Sequence, residues 1–369
     1  MTNEKFLEGI ESTGYGLEFS VSKSLMNKGW TVINNKYYID DVQGAAREID
    51  ILAYKVTSKN DLLVYTVLIV SCKKSSENSW AFLAKNKNSS DPNVDWNPVT
   101  LWSNNKVLKL IIENYDWRNK YVSSSKELQK KLFSPEKHIF AFQELNSKNG
   151  KPKNDKAIFN SIVTSMKSQD YEIGSLNKRK KEESMYNFNL ISVVDGSLLR
   201  INYGDGDPEV ENIDSDIYVG SYIINKKETV SRVHFVKSDI FNSSLSIYDK
   251  LHLHNVEQSA IIHNSYYVDC LKDERKVALF KNKFNTKLRW DVYKLIRDLR
   301  SPQETDIKDV GVSWSIKDEC AVIHVDGVYE DSEINALNSD SKIKTSVTKA
   351  LKEIYRYSGD FYFEMEIPF

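Results

Sequence analysis

Residues 62–74, LLVYTVLIVSCKK, form the most strongly apolar run of the chain and decide its fold class. The run is rich in β-branched residues, and its apolar positions are consecutive instead of alternating. This pattern is typical of a strand that is buried on both faces at the centre of a sheet. We therefore predict a central strand over residues 62–72, which ends where two lysines bring the chain to water.

The residues before this run predict the elements that surround the strand. Leu17, Val21 and Leu25 recur at i, i+4 and i+8, and Gly29 follows where a helix would stop, so residues 14–30 predict a helix and a turn. Two further strands are predicted next, at 31–38 (TVINNKYY) and 47–54 (REIDILAY). The opening order is helix, strand, strand, buried strand.

The rest of the chain predicts more strands alternating with helices. A long helix is expected over 272–299, before a last series of strand, strand, helix and strand. Further elements are expected at 102–114 (helix), 138–142 (strand), 155–169 (helix), 186–201 and 217–237 (strands). The fold class is therefore α/β (or α+β): a mixed sheet flanked by helices over 1–250, with a C-terminal α/β addition over 251–369.

Composition excludes some classes of protein and leaves others open. The 51 Lys and Arg nearly cancel the 52 Asp and Glu, which gives a net charge of -1, so binding to nucleic acid would need a local basic patch. The three cysteines, at 72, 270 and 320, lack CxxC spacing, which argues against a disulfide framework and a structural zinc site. The start, MTNEKFLEGIES, lacks a signal-peptide pattern, and no apolar run is long enough to cross a membrane. We expect a cytoplasmic protein.

Three charged residues lie where chemistry is expected. Glu18 lies at the edge of the apolar face of the first helix, Asp50 interrupts an apolar strand, and Lys73 ends the buried strand. Because strand side chains alternate, Ser71 and Lys73 should share one face and Cys72 should take the other. Two carboxylates and an ammonium suit metal-assisted cleavage of a phosphodiester, since Mg²⁺ prefers oxygen ligands and shares its remaining positions with water and phosphate.

The stretches REIDILA at 47–53, VSCKKSSENSW at 70–80 and the GYGLEF helix start together resemble the core of the PD-(D/E)xK, or restriction-endonuclease-like, nucleases. Within that class they resemble bacterial restriction and phage-defence members. The resemblance implies a Mg²⁺ (or Mn²⁺) nuclease acting on nucleic acid, chiefly DNA, as a homodimer or with a defence-system partner protein. It implies metal ligation by Glu18 and Asp50, a further ligand in the Cys72 carbonyl, and Lys73 as the catalytic lysine.

One position departs from the family's pattern. The second acid of the family falls on Ser71, whose hydroxyl is a neutral and poor ligand for Mg²⁺. Glu77 or Glu48 could supply the missing carboxylate, or Glu18 and Asp50 could act alone through water. A third alternative is a degenerate site that binds nucleic acid or assembles with a partner without cutting.

Other residues carry weaker predictions. Lys74 and the basic run Lys178, Arg179, Lys180 and Lys181 could contact phosphates, although a solvated charged run is the commoner case. His252 and His254 alternate as on a strand and could bind a metal, but the sequence offers no third ligand beside them.

Overall fold

The computed structural model describes residues 3–11, 13–40, 42, 44–300, 306–328 and 330–365. The chain divides into two compact units. The first comprises Met1–Asn105 and Asn114–Ala260, and the second comprises Lys106–Glu113 and Ile261–Phe369. All the residues that the sequence predicts for a site lie in the first unit.

Twelve strands are found in the described residues, and they form two sheets. They are β1 (Thr31–Ile39), β2 (Ala46–Lys59), β3 (Leu62–Lys85), β4 (Thr100–Ser103), β5 (His138–Asn146), β6 (Ser184–Tyr203), β7 (Glu209–Ile213), β8 (Ser215–Ile224), β9 (Lys227–Lys237), β10 (Asp309–Ser315), β11 (Cys320–Asp326) and β12 (Phe361–Glu364).

The helices flank these sheets. In the described residues they are α1 (Asn3–Glu11), α2 (Tyr15–Asn27), α3 (Lys106–Asn114), α4 (Arg118–Ser123), α5 (Lys126–Leu128), α6 (Lys156–Arg179), α7 (Ser238–Ser265), α8 (Glu274–Leu299), α9 (Asp331–Ser339) and α10 (Ser341–Tyr355). A π-helical turn (Gln129–Phe133) follows α5, and a 3₁₀ turn (Cys270–Lys272) precedes α8. No helix in the described ranges is long and apolar enough to cross a membrane.

The large sheet is mixed, with the path β1-β2-β3-β6-β9-β8. Strands β1, β2 and β3 are antiparallel neighbours, whereas β3 and β6 run parallel, as do β6 and β9. Val64, Leu68 and Ile69 of β3 are at most 1% exposed. The predicted central strand is therefore confirmed, but its predicted end at residue 72 is wrong, because β3 continues past the two lysines to Lys85, where it pairs with β5 and β6. The mixed sheet flanked by helices confirms the predicted fold class at that level.

The apolar face of α6 packs against this sheet. Ile158, Ile162 and Met166 are almost fully buried in one cluster with side chains of β2, β3 and β6. The sequence predicted a helix that ended at 169, but α6 continues to Arg179. The prediction stopped early because two polar residues, Gln169 and Glu172, continue the buried face where an apolar residue is expected.

Strands β3 and β6 come unusually close just beyond the end of the apolar run. A Cβ on Gly196 would lie 2.6 Å from the backbone oxygen of Ser75, so only glycine fits there. The pairing then shifts, because Ser75 faces Gly196 whereas Ser79 faces Ser197. Residues 76–78 of β3 therefore form a bulge in its pairing with β6, although Asn78 still pairs with Asn146 of β5.

The smaller sheet has the order β10-β11-β12 and belongs to the second unit. The sequence predicted one helix between its last two strands, and the structure has two, α9 and α10. Asp340 separates them, because its side chain accepts hydrogen bonds from the amides of Lys342 and Ile343 and so starts a new helix.

Candidate active site

Asp50 and the end of the apolar run of β3 meet at one carboxylate oxygen. Asp50 Oδ2 accepts the backbone N–H of Cys72 at 2.7 Å, the hydroxyl of Ser71 at 3.3 Å and the ammonium of Lys73 at 3.3 Å. Ser71 and Lys73 thus reach the same group, as strand alternation predicts. The side chains of Lys73 and Asp50 are 31% and 20% exposed, so the pair remains open to a ligand.

Glu18 joins this cluster from the first turn of α2. Its carboxylate lies over the helix start, where a Cβ on Gly14 would be 3.6 Å from Glu18 Oε1. Burial raises the pKa of Glu18, and the negative charges of Asp50 and Glu48 raise it further, against the opposing effect of Lys73. The charges of two other carboxylates and one ammonium therefore act on Glu18.

The charges of Asp50 and Glu18 also act on the thiol of Cys72. Burial raises the pKa of its thiol well above the ordinary value, and the charges of Asp50 and Glu18 add to that effect. A thiol so far from ionisation acts as a small apolar side chain under the site. Cys72 contributes to the site through its backbone N–H, whose hydrogen bond fixes the orientation of Asp50.

The two candidate substitutes for the missing acid occupy different places. Glu48 is exposed on β2, its carboxylate accepts a hydrogen bond from the Asn35 amide, and its charge acts on Glu18. Glu77 is exposed within the bulge of β3, where its backbone oxygen accepts the Ser147 N–H at 2.9 Å. Glu48 is therefore the acid that the fold brings into the field of the site.

The donors present suit one mode of divalent cation binding and not another. Among the described residues, no group of three or more His, Cys, Asp and Glu is placed to hold a metal ion. Mg²⁺, however, commonly uses one or two carboxylates and takes its remaining ligands from water and phosphate. Asp50 and Glu18 are two carboxylates of that kind; burial is the main cause of the raised pKa of Glu18, and the negative charges of Asp50 and Glu48 raise it further.

The predicted phosphate-contacting lysines do not come together. Lys74 is exposed beside the site, and its ammonium donates to the backbone oxygen of Glu11. Lys180, in the run 178–181, instead donates to the Tyr65 hydroxyl at 3.1 Å. Tyr65 and Lys73 are eight residues apart on β3, which is roughly 25 Å along an extended strand. The basic run lies away from the candidate site.

The prediction of a strand at His252 and His254 is wrong, because both residues lie in helix α7. Thr57 and Thr66 hydrogen-bond the ring of His252 at 2.8 and 3.0 Å, and Nε2 of His254 bonds the backbone oxygen of Tyr121 at 3.1 Å. Polar residues at these positions concealed the helical pattern. Each ring serves a different buried contact.

Two further sites escaped the sequence analysis. One is an aromatic and basic cavity in the first unit that includes Tyr65 and Lys180. The other is a cleft of about 680 Å³ in the second unit, where Ser313 Oγ lies 2.6 Å from His324 Nε2. The alternation of β10 and β11 could have suggested the Ser313–His324 contact, whereas nothing local links Tyr65 to Lys180.

Comparison with protein-family models, with curated proteins and with solved structures gives no match for this chain.

Proposed function

We propose that this chain is a divalent-cation-dependent nuclease of the restriction-endonuclease-like type, acting on DNA in the cytoplasm as part of bacterial defence. The observation that carries the proposal is the contact of Lys73 Nζ with Asp50 Oδ2 at 3.3 Å, inside the field of Glu18. An ammonium paired with one carboxylate and acting on a second, just beyond the apolar run of β3, can support metal-assisted hydrolysis of a phosphodiester.

Each side chain has a distinct part in this proposal. Asp50 and Glu18 would hold Mg²⁺ or Mn²⁺, which when bound supplies an activated water and offsets charge on the phosphate. Lys73 would bind the phosphate or orient the attacking water. The Cys72 amide holds Asp50 in place, so the carboxylate does not have to reorganise during the reaction.

A cleavage assay tests the proposal. Plasmid, linear DNA and RNA are incubated with the purified chain in Mg²⁺, in Mn²⁺ and in EDTA. We expect cleavage of DNA that depends on the metal, is lost in Asp50→Asn and Lys73→Ala, and persists in Lys23→Ala, which changes an exposed lysine of α2. Absence of cleavage by both the wild type and Ser71→Glu with every metal would contradict it.

Binding to DNA adds a second test. Because the net charge of the chain is only -1, affinity must come from local cations such as Lys74. We expect affinity to fall steeply between low and physiological salt, as counterions are released from the phosphates. Affinity that does not change with salt would argue against nucleic acid as the ligand.

A second candidate function is a non-catalytic module of the same type that binds nucleic acid or assembles with a partner. The neutral Ser71 hydroxyl in place of an acid favours it. So do the exposed apolar side chains of α1 and α2, among which Phe6 is 71% and Phe19 is 68% exposed. Cleavage by the wild type would exclude this candidate. A stable homodimer or a co-purifying defence partner, in a chain that does not cut, would favour it.

A further inference from the structure

The first unit contains a cavity of about 230 Å³ that the candidate active site does not use. Strands β1, β2, β3 and β6 form its floor, and the C-terminal end of α6 forms its wall. A cavity of this size is smaller than most ligand sites, so it suits one compact group.

The floor of the cavity is aromatic. The rings of Tyr65 and Tyr186 are stacked with their centroids 4.2 Å apart and their planes 5° from parallel. The Tyr54 ring lies 5.8 Å from that of Tyr65 and is tilted by 52°, and the Phe188 ring lies 6.0 Å from that of Tyr186. Because Tyr65 and Tyr186 cover each other's faces, the row of rings offers ring edges to the cavity, and edge-to-face contact with another planar ring is a favoured aromatic geometry.

The wall of the cavity is basic. Glu172, whose side chain is only 3% exposed, pairs with Lys36 Nζ at 2.5 Å and with Arg179 Nη2 at 2.8 Å. Lys180 places its ammonium 4.7 Å from the centre of the Tyr65 ring. The described lining thus holds three cationic side chains and one carboxylate, so it carries an excess of two positive charges.

From this charge and this floor we propose that the cavity binds a nucleotide. The base would lie against the row of Tyr54, Tyr65 and Tyr186, and the phosphate would meet Lys180 and Arg179. A planar ring that carries a phosphate is the ligand class that matches both surfaces at once, because the edges of aromatic rings pack against the face of a base and lysine and arginine bind phosphate. The site goes beyond the proposed nuclease function, since it contains neither Asp50 nor Lys73.

The four residues of the basic run at the end of α6 differ in their position relative to the cavity. Arg179 and Lys180 line the cavity, whereas Lys178 and Lys181 are exposed and take no part in its lining. The four residues are consecutive and have the same charge. They therefore supply a test in which position, and not net charge, is the variable.

The test is calorimetric titration of the full chain in EDTA, so that a failed nuclease proposal leaves it unaffected. The probes are the four ribonucleoside and four deoxyribonucleoside monophosphates, the nucleosides and inorganic phosphate. We expect at least one monophosphate to bind at least tenfold more tightly than its nucleoside or inorganic phosphate. We expect Lys180→Ala to weaken that binding about tenfold, with Lys178→Ala and Lys181→Ala unchanged. Tyr54→Leu, at a half-buried position, should weaken the nucleoside and the monophosphate alike.

The titrations can contradict the proposal in several ways. Equal weakening by Lys178→Ala and Lys180→Ala would overturn the proposal, as would binding of phosphate alone or no binding at all. Thermal unfolding of each variant shows that a loss of binding is not a loss of fold. A further titration with a 5′-phosphorylated tetranucleotide distinguishes the source of the ligand: tighter binding than the monophosphate assigns the cavity to a strand end, and weaker binding assigns it to a free nucleotide.

Discussion

Lys73 Nζ and the backbone N–H of Cys72 donate to the same oxygen of Asp50, at 3.3 and 2.7 Å. The first donor is a side chain that is partly exposed, and the second belongs to the backbone of β3. Lys73 can therefore leave Asp50 for a phosphate while the Cys72 amide keeps the carboxylate in place. A mutation of Lys73 can therefore remove its own contact with Asp50 and leave the contact of the Cys72 amide.

Lys73→Ala should lower cleavage by about 10²–10³-fold, which is the usual effect of removing one group that stabilises charge in the transition state. It should leave the free energy of unfolding nearly unchanged, because the ion pair is partly exposed. Single-turnover cleavage and urea unfolding check the two halves. A large loss of stability would assign Lys73 a structural part instead.

Ser71→Glu should change the dependence of the protein on metal. The Ser71 hydroxyl lies 3.3 Å from Asp50 Oδ2, so a carboxylate there would repel Asp50 in EDTA and bind a cation when Mg²⁺ is present. We expect a lower Tm than the wild type in EDTA and a larger rise in Tm on adding Mg²⁺. If the site is a weakened catalyst, cleavage should also rise or need less Mg²⁺.

The effect of Ser71→Glu on cleavage also depends on whether Glu48 or Glu77 already supplies the missing charge. If Glu48 already supplies the missing charge, Ser71→Glu should give no gain in cleavage, and Glu48→Gln should abolish it. If Glu77 does so, Glu77→Gln should have that effect instead. The structure favours Glu48, because its charge acts on Glu18.

The pH dependence of cleavage should follow Glu18. Its pKa is raised by burial and by Asp50 and Glu48, and its protonated form cannot bind a cation. Activity should therefore fall as pH drops through that raised pKa. Glu48→Gln removes one of the negative charges, so the acid limb of the pH–rate profile should move to lower pH in any variant form that still cuts. An unmoved limb would show that another group controls it.

His234 should make the first unit sensitive to acid. Burial, helped by the charge of Arg232, lowers the pKa of His234 to about 3. The unfolded chain therefore binds a proton below its ordinary pKa of 6.5, whereas the folded chain does not. Stability should be lost as pH falls from 6.5 towards 3, at up to about 1.4 kcal/mol per pH unit from this group. Urea unfolding of His234→Gln at several pH values should show a shallower slope than the wild type.

Gly196 and Gly174 form a matched pair for the close contact of β3 with β6. Gly196→Ala would place Cβ 2.6 Å from the Ser75 oxygen, which should cost about 1–3 kcal/mol and lower cleavage. Gly174 lies in α6, and a Cβ added there would have nothing within 4 Å. Gly174→Ala should therefore raise the free energy of unfolding by about 0.5–1 kcal/mol. Equal effects of the two changes would show that the contact is looser than the structure has it.

The sequence was sufficient to predict the central strand and the meeting of Asp50 with Lys73, because a buried run and the order of short motifs are local signals. It could not decide between Glu48 and Glu77, since the bulge at 76–78 depends on the fit of Gly196 against Ser75, about 120 residues apart. It also could not predict the aromatic cavity. Tyr65, Lys180 and Tyr186 share it only because β3 and β6 are neighbours in the sheet.

The parallel pairing of β3 with β6 also sets the order in which the chain can mature during synthesis. Residues 86–183 separate the two strands, so the most apolar segment of the protein leaves the ribosome long before its partner exists. At about 5–20 residues per second, that interval lasts on the order of 5–20 seconds. Over this time β3 can pair with β2 and later with β5, but the edge that β6 will cover stays open to chaperones or to a neighbouring nascent chain. Rare codons placed between 86 and 183 would lengthen the exposure and should lower the yield of folded protein.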